Sequence, residues 1–133
     1  MAGFANIQDV RDLVGLPDKE ALPDSKITFQ LDSGKRRVKE QVGDYESETG
    51  DEKAQLKEAE ICYTAYYGLP TWNTFYTSNI PGMQKELGDL DFKLLSPDEL
   101  KEARGVWLER GDERINIIKQ DNADTPTLDM RAI

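Results

Sequence analysis

The side chains of this chain that could do chemistry are few: Asp89 and Asp91 in GDLDFK, Asp98 and Glu99 in SPDEL, the lone Cys62, and the tyrosines of KEAEICYTAYYGLP at 57–70. Two carboxylates close in sequence can divide acid and base roles. With 26 acidic residues in 133, such pairs arise by chance, and neither is expected to be catalytic. GDLDFKLLSPDEL also lacks the ligand intervals and the turn glycine of a calcium loop. Cys62 sits inside an apolar pattern with no cation beside it to lower its pKa, so a small buried hydrophobe is expected there.

What is missing excludes more. The chain has no histidine, which removes the commonest general base and metal ligand and with them most hydrolase triads and HExxH zinc sites. One cysteine permits neither an internal disulfide nor a thiolate zinc site. SGKRRV lacks the spacing and the strand-to-helix setting of a phosphate loop. No catalytic, cofactor-binding or metal-binding residue is therefore assigned, and the expectation is a protein that is not an enzyme.

Two clusters need a structural reading. Tyr63, Tyr66 and Tyr67 fall on one helical stripe and are expected to be its packed end, with hydroxyls reaching polar groups at the rim; stacking on a nucleotide or sugar is the less favoured role. In GKRRVK at 34–39, Lys35 and Lys39 share a helix face while Arg36 and Arg37 turn away. That pattern suits a solvated face or ion-pair partners for acidic neighbours, with phosphate contact as the alternative.

The elements that must position these groups follow from composition and periodicity. A net charge of −9 denies the chain an overall basic footprint for nucleic acid. Its mean hydropathy of −0.67 leaves a modest core whose burial a partner could complete. No apolar run approaches the roughly 18 to 20 residues of a membrane span, and MAGFANIQDVRD lacks a signal-peptide pattern, so a soluble, unexported protein is expected.

In IQDVRDLV, residues 7–14, Ile7, Val10, Leu13 and Val14 recur at helical spacing, and GLP supplies a stop. Ile27, Leu31, Val38 and Val42 form the stripe of a second helix that Asp24 or Ser25 can cap and Gly43 can end, weakened at Gly34 by roughly 1 kcal/mol relative to alanine. YESETGDE reads as a solvated loop. A third helix starts near Asp51 and Glu52, where negative charge suits an N-terminus, carries Leu56, Ala59 and the tyrosines, and is expected to end at Gly68 and Pro70. Residues 69–95 are apolar but rich in Pro, Asn and Gly, and suit a long loop, a hairpin or a short helix around Met83 to Leu87. Ser96, Pro97 and Glu99 make a capping box opening a fourth helix, along which Leu100, Ala103, Val106, Trp107 and Arg110 follow at helical spacing, with Gly111 as its expected close. RINIIKQ is expected as a strand or extended tail.

The fold expected is therefore mainly α: a small bundle of three to four helices with a long aromatic loop or hairpin and an extended C-terminal arm. One domain covers 1–110, with the loop or hairpin at 69–95, and the arm covers 111–133. The expected core is Ile27, Leu31, Val38, Leu56, Ala59, Tyr63, Tyr66, Leu100 and Trp107. Candidate contacts to other chains are Trp72, Phe75, Tyr76, Ile80 and Met83 in the aromatic stretch and Ile115, Ile117, Ile118 and Leu128 in the arm.

The order short helix, GLP stop, long helix, acidic loop and apolar helix resembles the head-tail connector (adaptor, or head-completion) proteins of tailed phages and related viruses or prophages. DVRDLVGLP at 9–17 is similar to the way such chains open, and LKEAEICYTAYYGLP at 56–70 to one of their later helices. The likeness covers mainly residues 7–70, and the helix after residue 96 would be an elaboration. The resemblance implies a structural protein of the virion neck, present in the host cytoplasm during assembly, that forms a ring of about 12 copies between the portal protein and a tail-side neck protein. Genomic DNA would pass through its lumen, and a net acidic ring gains no counterion-release affinity for it. The alternative expectation is a small acidic helical binding or regulatory module, a DNA mimic or an inhibitor of a basic partner.

Overall fold

The computed structural model describes residues 3–16, 22–45, 48–79 and 96–123, which contain four helices and no strand. Helix α1 spans Ile7–Val14. A reciprocal cap opens it: the Asn6 side chain accepts from the Asp9 N–H at 2.9 Å, and the Asp9 carboxylate accepts from the Asn6 N–H at 2.9 Å. Gly15 ends it in the left-handed region at φ 79, with its N–H donating to the Arg11 carbonyl.

Helix α2 spans Ser25–Val42 and stops at Gly43, φ 78. Asp24 is its N-cap residue, yet its side chain does not cap the helix. The carboxylate instead takes the Arg11 guanidinium at 2.6 Å, and Arg11 also donates to the Leu22 carbonyl at 2.7 Å. This buried arginine bolts the chain before α2 to α1.

Helix α3 spans Gly50–Asn79, 30 residues or about 45 Å, and so runs straight through the expected stop at Gly68 and Pro70. The reasons are specific. Pro70 cannot donate to the Tyr66 carbonyl one turn back. Arg104 supplies the missing donor, its Nε reaching the Tyr66 oxygen at 2.9 Å. Gly68 is buried beneath the Trp72 ring, which occupies the space a Cβ would need. The first part of the expected aromatic loop is therefore helix, and residues 80–95 lie outside the described residues.

Helix α4 spans Pro97–Ala123. Its capping box forms as the sequence predicts: Ser96 N–H donates to Glu99 Oε1 at 3.0 Å, and Glu99 N–H to Ser96 Oγ at 3.2 Å. Gly111 does not close it. A Cβ there would sit 2.8 Å from Tyr63 Cε1 and 3.2 Å from Cys62 Cβ, so the missing side chain serves helix approach rather than termination. RINIIKQ continues the helix, with Ile115 and Ile118 in the core. The expected boundary at 110/111 is thus corrected: 111–123 belong to the bundle, and 124–133 lie outside the described residues.

α3 is the middle layer. It packs on α2 along one flank and α4 along the other, while α2 and α4 scarcely touch and α1 lies against α3. A helix covered on two sides needs apolar residues on both, which is why 59–65 is buried without a break. Two cores form along it. One joins Ala5, Val10, Leu22, Ile27, Leu31, Ile61, Leu69 and Trp72, with Leu100 and Trp107 packed against it. The other joins Val38, Tyr45, Leu56, Ala59, Tyr63, Ile115 and Ile118. Tyr45 corrects the reading of YESETGDE as merely solvated: it is buried, edge-on to Phe4 at 5.6 Å.

Candidate functional site

At the level where the two cores meet, α3 carries Glu60 and Thr64, both fully buried. The Glu60 carboxylate accepts from the N–H groups of Phe4 at 3.0 Å and Ala5 at 2.7 Å and from the Tyr45 hydroxyl. Burial pushes its pKa up, against the pull of the Tyr45, Ala5 and Phe4 hydrogen bonds and of Lys35. A carboxylate so enclosed ties the N-terminal segment and the α2–α3 loop to α3, and offers no face to a substrate. Its sequence signal was an acid inside an otherwise apolar run, AEICYTAY.

On both sides of this level the flanking helices come close through glycine. A Cβ at Gly34 would lie 2.6 Å from Thr64 Oγ1 and 2.8 Å from the Glu60 carbonyl oxygen; Gly111 meets Tyr63 and Cys62 across the other flank. Gly34, read as a weak point of α2, is a crossing point.

The tyrosines divide. Tyr63 is fully buried, donates to Asp112 Oδ1 at 2.6 Å and accepts from Gln41 Nε2 at 2.8 Å; burial and the Asp112 carboxylate push its pKa up to about 12. Tyr66 and Tyr67 are half-buried. Arg37 donates to the Tyr67 hydroxyl at 3.1 Å and lies over the Tyr63 ring at 4.8 Å, while Arg104 covers Tyr66 at 4.4 Å. Lys35 is buried near Glu60. Half of the basic cluster therefore packs against α3, contrary to a solvated face, leaving Arg36 and Lys39 exposed. Lys39 makes a surface pair with Asp44 at 3.4 Å. Cys62 is buried and its thiol pKa is pushed up to about 12, chiefly by that burial.

Of the expected contact residues, Trp72 is wholly buried, its Nε1 donating to the Lys26 carbonyl at 2.6 Å, so it is core rather than contact. Ile115 and Ile118 are likewise core. Phe75 is half-buried under the Lys26 ammonium at 5.0 Å, and Ile117 is half-buried on α4. Tyr76 falls in the last turn of α3 with its side chain outside the description, and Ile80, Met83 and Leu128 lie outside the described residues. Among the expected core residues Tyr66, Leu100 and Trp107 are only partly covered.

On the outer faces, sequence reasoning missed Phe29 and placed Val106 in a packed stripe that the structure leaves exposed. Phe29 on α2 is 72% exposed and Val106 on α4 is 57% exposed. To one side of Val106, an open groove of about 430 Å³ is lined by Gly105, Leu108, Glu109, Asp112, Glu113 and Asn116. No group of three or more acidic or cysteine side chains suited to a metal occurs among the described residues. Of the acid pairs, Asp98 and Glu99 open α4, and Asp89 and Asp91 lie outside the described residues. No described helix is long and apolar enough to cross a membrane.

No family model, curated protein or solved structure matches the chain.

Proposed function

We propose that this chain is a structural virion protein, a head-tail connector that assembles as a ring between portal and tail and lets DNA pass. The observation that carries the reading is that the two most exposed large apolar residues among those described, Phe29 and Val106, stand on two helices that flank α3 and scarcely touch each other. Two unlike patches on one small domain favour a contact in which the first patch of one copy meets the second patch of the next. Such head-to-tail contacts close into rings when the rotation allows. The helix order quoted above for the family, and the net charge of −9 that suits a lumen gliding past DNA, support the same reading.

The acidic outer face of α4 favours a second reading, a module that occupies a basic partner. One experiment separates the two: the mass of the purified protein by light scattering across a concentration series, alone and with portal-containing particles. A ring, or a monomer that binds only to the particles, supports the connector. A compact monomer or dimer indifferent to them refutes it and leaves the acidic module.

A further inference from the structure

The two outer faces are complementary in charge as well as being apolar at their centres. α2 holds five basic residues and two acidic ones, Asp32 and Glu40. Lys35 and Arg37 turn inward, while Lys26, Arg36 and Lys39 are exposed. Helical spacing sets Arg36 two turns and Glu40 three turns from Phe29 on the same face, with Lys26 and Lys39 at its borders, so the face holds three exposed cations against one exposed acid.

α4 is the reverse. Its arginines point into the bundle, Arg104 to the Tyr66 carbonyl, and Arg110 and Arg114 to Glu58 at 3.3 and 2.6 Å, while the exposed Lys101 and Lys119 lie off its outer stripe. Its outer stripe reads Glu99, Glu102, Val106, Glu109 and Glu113, a repeat of 3 and 4, with Glu102, Glu109 and Glu113 exposed. At Gly105, beside Val106, a Cβ would meet nothing within 4 Å, and the groove there has room for an incoming side chain.

We infer that α2 of one copy docks on α4 of a second copy, Phe29 entering the groove beside Val106 and Arg36 and Lys39 facing Glu102, Glu109 and Glu113. This rests on the proposed ring and names its contact. The partner is another copy because the chain itself carries the matching face, and three of the six exposed basic side chains among the described residues lie on α2. The pairing sets register and partner choice, and salt weakens it.

A charge exchange tests it. One variant carries Arg36→Glu with Lys39→Glu, and a second carries Glu102→Lys, Glu109→Lys and Glu113→Lys. Sedimentation is run on each full chain alone and on the equimolar mixture, with circular dichroism to show that each is folded. Each variant alone opposes like charges and is expected to self-associate at least about tenfold more weakly than the wild type, while the mixture, in which the exchanged residues again face opposite charges, recovers assembly. Phe29→Ser, a surface change, is expected to weaken assembly without moving the unfolding midpoint.

The inference is overturned if either folded variant assembles like the wild type, if the mixture stays dissociated, or if the wild type is monomeric at every concentration. The connector reading fails separately: charge-dependent self-association in a protein that ignores portal-containing particles keeps the α2 to α4 contact and removes the neck. Assembly that is indifferent to charge but binds the particles does the opposite.

Discussion

The same substitution, glycine to alanine, should change sign between two helix-interior positions of this bundle. At Gly105 the added methyl meets nothing within 4 Å. Only helix propensity acts there, and alanine should stabilise by up to about 1 kcal/mol. At Gly34 the same gain is opposed by contacts of 2.6 Å to Thr64 Oγ1, 2.8 Å to the Glu60 oxygen and 2.9 Å to the Thr64 nitrogen. Two of these are backbone atoms of α3 and cannot swing away. Reaching an ordinary contact of about 3.4 Å requires α2 to retreat by roughly 0.6 Å, which loosens Ile27, Leu31 and Val38 together. Overpacking of this kind costs about 1 to 3 kcal/mol, so after the propensity gain the net loss at Gly34 should reach up to about 2 kcal/mol. For a chain of 133 residues, 1 kcal/mol moves Tm by about 4 °C. Thermal unfolding in dilute solution, followed by circular dichroism, should therefore show Gly105→Ala a few degrees above the wild type and Gly34→Ala below it by up to about 8 °C. A rise in Tm for Gly34→Ala equal to that at Gly105 would refute the close crossing of α2 and α3.

Three further outcomes are expected. Arg104→Met should cost about 1 to 2 kcal/mol by orphaning the Tyr66 carbonyl, and most of that cost should vanish in a Pro70→Ala background, where residue 70 regains an N–H; equal costs in both backgrounds in urea unfolding would remove this role for Arg104. Glu60 has a folded pKa raised above its ordinary 4.5, so its contribution to stability is full below that value and declines as pH rises toward the folded pKa. The stability of the wild type relative to Glu60→Gln should accordingly fall as pH rises from about 4.5, and a flat difference would contradict the raised pKa. Cys62 should resist alkylation at pH 8 in the folded protein and react on addition of denaturant; rapid native labelling would mean that α3 is open at this level.

Much of the fold was legible because the signals were local. Both ends of α1, the stripe of α2 and the Ser96 cap of α4 each lie within a few residues of the element they define. The capping pair Asn6 and Asp9 was equally local and simply went unread. The misread features depend on partners far along the chain. Gly68, Pro70 and Gly111 have the composition of helix stops, and only the Arg104 donor, the Trp72 ring and the approach of Tyr63 make them interior positions. A missing Cβ serves a turn or a close crossing equally well, and sequence does not say which. The burial of Trp72 follows from that error, since a helix ended at residue 70 strands it in a loop. The exposed Phe29 was hidden for the opposite reason: a single apolar residue on a polar face adds nothing to a periodic pattern, whereas Val106 fits the stripe of α4 in sequence and still faces outward.

The glycines have one consequence for how the molecule can deform. Gly34 and Gly111 press on α3 from two flanks at nearly the same residues, 60–64, and the two cores lie to either side of that level. At this level the Tyr63 hydroxyl is also bonded to Gln41 of α2 and to Asp112 of α4, so one side chain of α3 pins both crossings. α2 and α4 thus share a fulcrum on α3, and a tilt imposed on one outer helix has its moment balanced at the same place as a tilt imposed on the other.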